Sequence, residues 1–314
     1  MYEQIAKNRA ASVITIIGFI IFIGFVGYAV GLILDYNYAV SGAYSITLLI
    51  FALAIACIAS FFSYYYSDRI VISLTKARAI TLDEDPRLYY MVEGLSIAAG
   101  LPMPKTYVIE EQGMNAFATG RNPKNSAVVF TRGLIDNLND EELKGVISHE
   151  LSHIKNYDIL LGTVIVIFVG MLSIISNIIF RVFLFGGGSR RRSSSKGSGG
   201  GIFTIVILLI GVVLIIFSPI IGAVIRFAIS RRREYLADSN GALISRYPAG
   251  LASALRKISS GSGVSTANSA TAHLFIANPF TKKTRPLFGS LFNTHPPVEE
   301  RIKRLEKMSL GVGM

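Results

Sequence analysis

Four long runs without a charged residue set the strongest limit on what this chain can fold into: Ser12 to Leu34, Ala39 to Phe62, Ile159 to Phe180 and Ile202 to Ile225. Each holds at least 22 residues. A helix of that length spans about 33 Å, against a hydrocarbon core of about 30 Å, so all four runs are long enough to cross a bilayer. The remaining composition agrees, with 51% hydrophobic and 16% charged residues in 314. The first run is longer than the apolar part of a signal peptide and is followed at once by a second, so it is expected to stay in the mature protein.

Charge orients the runs. Lys7 and Arg9 precede the first, and the turn expected at Asp35 to Tyr38 has no basic residue, which places the N-terminus in the cytoplasm. Residues 1 to 180 carry 12 Lys and Arg against 15 Asp and Glu, and residues 181 to 314 carry 19 against 5. The basic excess includes Arg226 and Arg231 to Arg233 just after the fourth run, where cytoplasmic membrane-proximal charge belongs, so a nucleic-acid partner is not expected. Cys57, the only cysteine, lies within an apolar run, which excludes a disulfide framework and a thiolate metal site.

The polar segments read as a small α+β domain. A helix is expected over "EDPRLYYMVEGLSIAAG", with Pro86 near its start and Gly100 past its end. Three strands follow, "KTYVIE", "MNAFATG" and "SAVVFT", the last two joined by the turn-rich "RNPKN". Asn139 suits the N-cap of a helix over "DEELKGVISHELSHIKN", with Glu142 at the capping-box position. Further helices are expected over "SRRREYLADSNGALI" and after the paired prolines of "THPPVEERIKRLEKM". The Gly-, Ser- and Arg-rich stretch at 186 to 201 is a linker.

The chemistry sits in "SHELSHIKNYD". His149 and His153 are one helical turn apart, so both imidazoles reach one ion, while Glu150 is turned about 100° from them and flanks it. Two imidazoles plus a base suit zinc, which in catalytic sites takes three protein ligands and a water. The bound water is acidified, and a neighbouring carboxylate takes its proton during attack on a carbonyl. His273, His295, Asp158 and Glu234 are candidates for the third ligand. Glu234 and Asp238, four apart in "REYLAD", share a helix face; one is free to ligate and the other to hold a ligand histidine by its second nitrogen.

Two N-terminal runs, "NAFATG", "SHELSHIKNYD", two further runs, "RRREYLAD" and "THPPVEER" occur in an order that resembles the HtpX family of membrane-bound zinc metalloproteases, relatives of the prenyl-protein CAAX endoproteases in the gluzincin group. The resemblance implies one Zn2+ ligated by His149, His153 and Glu234, Glu150 as catalytic base, and Asp238 behind a ligand. It also implies an endopeptidase acting in quality control of membrane proteins. The expected fold is mainly α, with four transmembrane helices and a cytoplasmic zincin-like α+β catalytic domain with a small sheet, split by spans three and four. Its parts are a transmembrane hairpin at 1–62, a first catalytic part at 63–158, a second hairpin at 159–226 and a second catalytic part at 227–314.

Weaker signals add detail. The segment Asn115, Ala116, Phe117 is expected on an edge strand that pairs with an extended substrate, with Asn115 bonding its backbone. His295 is placed beside the metal as a donor to the oxyanion. Asp158 is open to two readings, orienting His153 or marking where the helix leaves water, and His273 is expected to be structural. The competing reading, a transporter or a non-proteolytic scaffold, meets an obstacle: transport usually needs ionisable groups inside the spans, and the four runs have none.

Overall fold

A computed structural model describes residues 2–38, 40–171, 231–267, 271–280 and 296–311. The linker at 186–201, the fourth apolar run and His295 lie outside them. Two compact units divide the chain: one gathers Met1–Ser12, Tyr64–Val166 and Ile225–Met314, the other Val13–Ser63 and Ile167–Val224.

The second unit contains most of helices α1 (Tyr2–Tyr38) and α2 (Ala43–Tyr65). Their apolar stretches, Ile5–Tyr36 and Ala43–Tyr65, are 32 and 23 residues long, enough to cross a membrane. Gly27 and Gly31, four apart, let the helices touch: a Cβ on Gly27 would meet that of Ala52 at 2.5 Å, and one on Gly31 would meet Ser45 Cα at 2.3 Å. Where a turn is expected at 35–38, α1 continues helical. The reason is local: the Asp35 carboxylate accepts the backbone N–H groups of Tyr44 and Ser45 at 2.8 and 3.0 Å, satisfying the start of α2 from within α1.

In the first unit, α3 (Ser67–Leu74) leads into β1 (Arg78–Ala79), and α4 (Pro86–Ala99) follows. Asp85 caps α4, and Gly100 ends it at φ 70°. Strands β2 (Lys105–Ile109), β3 (Ala116–Asn122) and β4 (Asn125–Thr131) make a mixed sheet of order β1-β2-β4-β3, parallel only between β2 and β4. Thus β3 is an edge strand. A short α5 (Arg132–Asn137) precedes α6 (Asp140–Lys155), whose capping box between Asn139 and Glu142 forms as the sequence requires.

Helix α6 is the axis of this unit. Residues Gly145 to Ser152 are all buried, between α4, α8 (Arg231–Ser245), α9 (Pro248–Ser260) and β3. The core around it includes Leu88, Val128, Phe130, Leu151, Leu255 and Leu305, the last from α10 (Val298–Ser309). After α6 the chain bends by 84° into α7, described over Asp158–Met171. This is the start of the third apolar run.

Candidate metal centre

Helix α8 brings a second set of side chains onto α6 because Gly241 removes the obstacle between them. A Cβ at Gly241 would stand 3.0 Å from the backbone nitrogen of His149. Lying that close, α8 points Glu234 and Asp238, one turn apart, at the two histidines. His149 Nε2 and His153 Nε2 are 3.2 Å from each other. Glu234 approaches them at 3.9 Å (Oε2 to His149) and 3.5 Å (Oε1 to His153). One atom from each of the three residues fits within 4.8 Å of the others.

The far side of each imidazole fixes its proton. Asp238 Oδ1 lies 3.0 Å from His149 Nδ1, and Asp158 Oδ2 lies 3.1 Å from His153 Nδ1. A hydrogen bond at His153 and the nearby Asp238 charge at His149 favour the proton on Nδ1 and leave the Nε2 lone pairs aimed at one point. Two lone pairs 3.2 Å apart repel unless a proton or a metal ion lies between them. The electrostatics agree. Burial would lower His153, but Asp158, Glu234 and Glu150 outweigh it and hold the group up at about 9, so this pocket favours positive charge. Burial pushes His149 down, against the pull of Asp238. The donor set therefore fits a divalent metal such as zinc, and among the described residues His149, His153 and Glu234 could hold it.

Glu150 faces the same cleft from beside the histidines, whose walls also include Ala118, Ile159, Gly162 and Ile276. It is 2% exposed, and burial, reinforced by Glu234, pushes its carboxyl up to about 7 against His153 and Arg301. A carboxyl poised there exchanges protons readily near neutral pH.

Arg301 escapes a motif reading. It is fully buried on α10 and clasps Asp238 through two bonds, Nε to Oδ2 at 2.9 Å and Nη2 to Oδ1 at 2.7 Å. Its Nη1 donates to the Ile276 carbonyl at 2.9 Å and lies 3.5 Å from Glu234 Oε2. Arg301 and His149 together outweigh the burial that would raise Asp238, and hold it down at about 2. The signal in the sequence is faint: Val298, Arg301, Ile302 and Leu305 form one helical stripe in which an arginine stands where an apolar residue is expected.

A family model, peptidase family M48, matches residues 83–309. The chain belongs to that family. A protease HtpX homolog of Dictyoglomus turgidum is 41% identical over 310 residues, covering 98% of this chain and 94% of that one. Another, of Leuconostoc citreum, is 40% identical over 309 residues and covers 98% and 100%. The crystal structure of S. mikatae Ste24p aligns over 97% of this chain and 66% of its own at 20% identity and a TM-score of 0.45, a likeness too weak to bear on the assignment. The protein is thus a membrane-bound metallopeptidase acting on polypeptides.

The other expected site residues are placed as follows. Asn115 is 2% exposed; its carboxamide donates to the Ala277 carbonyl at 3.0 Å, and its own oxygen accepts from the Ala116 amide at 3.1 Å. Ala116 O accepts the Ile276 N–H at 2.9 Å, and the Phe117 ring stacks edge-on against Phe275 at 5.1 Å. All three residues therefore hold the segment around 275–277 against the edge of β3. His273 lies 3.0 Å from the Gly162 carbonyl through Nε2, in the cleft wall.

Proposed function

We propose that the protein is a zinc endopeptidase that hydrolyses peptide bonds of membrane and membrane-associated proteins, misfolded ones among them, at the cytoplasmic face of the cell membrane. The observation that carries this is the convergence of His149 Nε2, His153 Nε2 and a Glu234 oxygen, with a carboxylate behind each imidazole. Zinc bound there supplies a Lewis acid for the attacking water and the scissile carbonyl. Glu150 takes the proton of that water on its carboxylate and delivers it to the leaving amine nitrogen. His295 donates to the oxyanion.

An extended substrate pairs with the edge of β3, which Ala116 and Phe117 begin directly after Asn115. Edge-facing backbone groups alternate along a strand, so Ala116 and Ala118 share one edge. Ala116 already bonds Ile276 and the Ala118 N–H bonds the Glu150 carboxyl, so the peptide backbone is received at the Ala118 carbonyl in the cleft wall.

The catalytic domain is assembled from 63–158 and 227–314, and the apolar runs between them cross the bilayer twice, giving four spans. His149 and Glu234 must meet on one side, so the intervening chain crosses twice or not at all. Burying 22 and 24 uncharged residues in a re-entrant hairpin is the less favourable choice. A cysteine at Ser194, with Cys57 replaced, tests this in intact cells: labelling by an impermeant thiol reagent is expected without permeabilisation. Labelling only after opening the membrane leaves two true spans. For the activity itself, detergent-solubilised protein is expected to cleave an unfolded reporter, to stop with a chelator and to resume with zinc. Cleavage unaffected by the chelator refutes the reading.

A further inference from the structure

Lys7 and Arg9 serve a sequence reading only as markers of membrane orientation, and Asn8 between them attracts no notice. In the fold, Asn8 is fully buried. Its carboxamide nitrogen donates to the Asn156 carbonyl at 2.9 Å and to Asp158 Oδ1. The acceptors lie in the turn between α6 and α7 and at the first residue of α7, and between them Tyr157 adopts φ 60°, a conformation unfavourable for a residue with a bulky side chain. Beside this, the Arg9 guanidinium sits 4.3 Å from the centre of the Tyr157 ring. Two consecutive residues of α1 thus grip three consecutive residues at the junction of α6 and α7.

The grip bears on the metal centre through Asp158, whose two oxygens face opposite ways. Oδ2 meets His153 Nδ1 at 3.1 Å, while Oδ1 takes the Asn8 bond and lies 3.9 Å from Arg233 Nε. We propose that Asn8 is a positioning residue of the metal centre, holding Asp158 in the orientation that keeps the His153 proton on Nδ1 and its Nε2 directed at the metal. This rests on His153 being a ligand, as proposed above. Asparagine suits the role because both acceptors require N–H donors; a carboxylate at this position would offer none and would repel Asp158.

The test uses the full-length protein in detergent and measures zinc affinity by competition with a chelator, a quantity independent of turnover. Asn8→Ala and Asn8→Asp are expected to bind zinc about 10-fold more weakly, the lower end for partners behind a ligand. Helix α1 should survive both, because residue 8 lies inside a 37-residue helix and alanine is the best helix former. Ser12→Ala removes a buried hydroxyl that donates to the Asn8 carbonyl at 3.0 Å and leaves the Asn8 carboxamide in place; it should bind zinc as the wild type does. Asn8→Ala added to Asp158→Asn should weaken binding no further, because the effect passes through Asp158. At saturating zinc, Asn8→Ala should lower kcat and leave KM for an unfolded reporter unchanged. Wild-type zinc affinity in Asn8→Ala, or full additivity with Asp158→Asn, overturns the proposal while the zinc site stands. A wild-type protein that binds no zinc overturns both.

Discussion

Arg301 meets Asp238 as a buried bidentate pair, and the same Asp238 oxygen that receives Arg301 Nη2 at 2.7 Å faces His149 Nδ1 at 3.0 Å. The C-terminal helix α10 is thereby joined to a histidine on α6 through one carboxylate. Removing the cation leaves the Asp238 charge in the core with only the His149 imidazole beside it, which costs about 3–5 kcal/mol. Arg301→Met should lose about that much stability by thermal unfolding in detergent. Arg301→Lys should recover little, because an ammonium cannot make the two parallel bonds. Stability within 1 kcal/mol of wild type in Arg301→Lys would refute the bidentate role.

Glu150 lies beside the histidines and off their shared face. Glu150→Gln should retain zinc and lose cleavage by about 100-fold or more, the scale of a missing general base. Near wild-type cleavage by this variant at full zinc occupancy would remove Glu150 from the mechanism.

Glu234→Ala should lose both zinc and cleavage, while Asp238→Asn should keep zinc with about 10- to 100-fold lower affinity. Metal analysis decides the first and chelator competition the second. A Glu234→Ala protein with one tightly held zinc would put the third ligand elsewhere.

Away from the centre, Glu142 is buried at the start of α6, where Ser253 Oγ and Lys257 Nζ each donate to it at 2.7 Å. Burial would raise its carboxyl, but Lys257, Ser253 and the Asn139 amide outweigh this and lower it. A lowered folded-state value stabilises the fold above the unfolded carboxylate pKa of about 4.3, and the contribution is lost as pH falls below it. Glu142→Gln should therefore cost about 1–3 kcal/mol at pH 7, the range for bonds to a charged group. The gap to wild type should narrow as pH falls below about 4 and close once the folded-state carboxyl itself is protonated. A gap that persists there would show that the carboxylate charge is not what stabilises.

The sequence by itself determined the features that depend on neighbours along the chain. Helical spacing alone puts His149 and His153 on one face, the Asn139 and Glu142 pair starts their helix, and uncharged runs mark the helices of membrane length. The strands around residues 105, 116 and 126 were legible for the same reason, since side-chain alternation and turn residues are local. Tertiary structure decided what rests on distant segments. Whether Glu234 faces the histidines depends on how closely α8 lies against α6, and a glycine at 241 sets that distance. Arg301 reads as one more charge on a polar helix until the fold buries it against Asp238, 63 positions earlier. Asn8 acquires a partner 150 positions away only when the start of α1 packs on the turn after α6. Buried polar groups must find partners, and their partners are named by packing rather than by spacing.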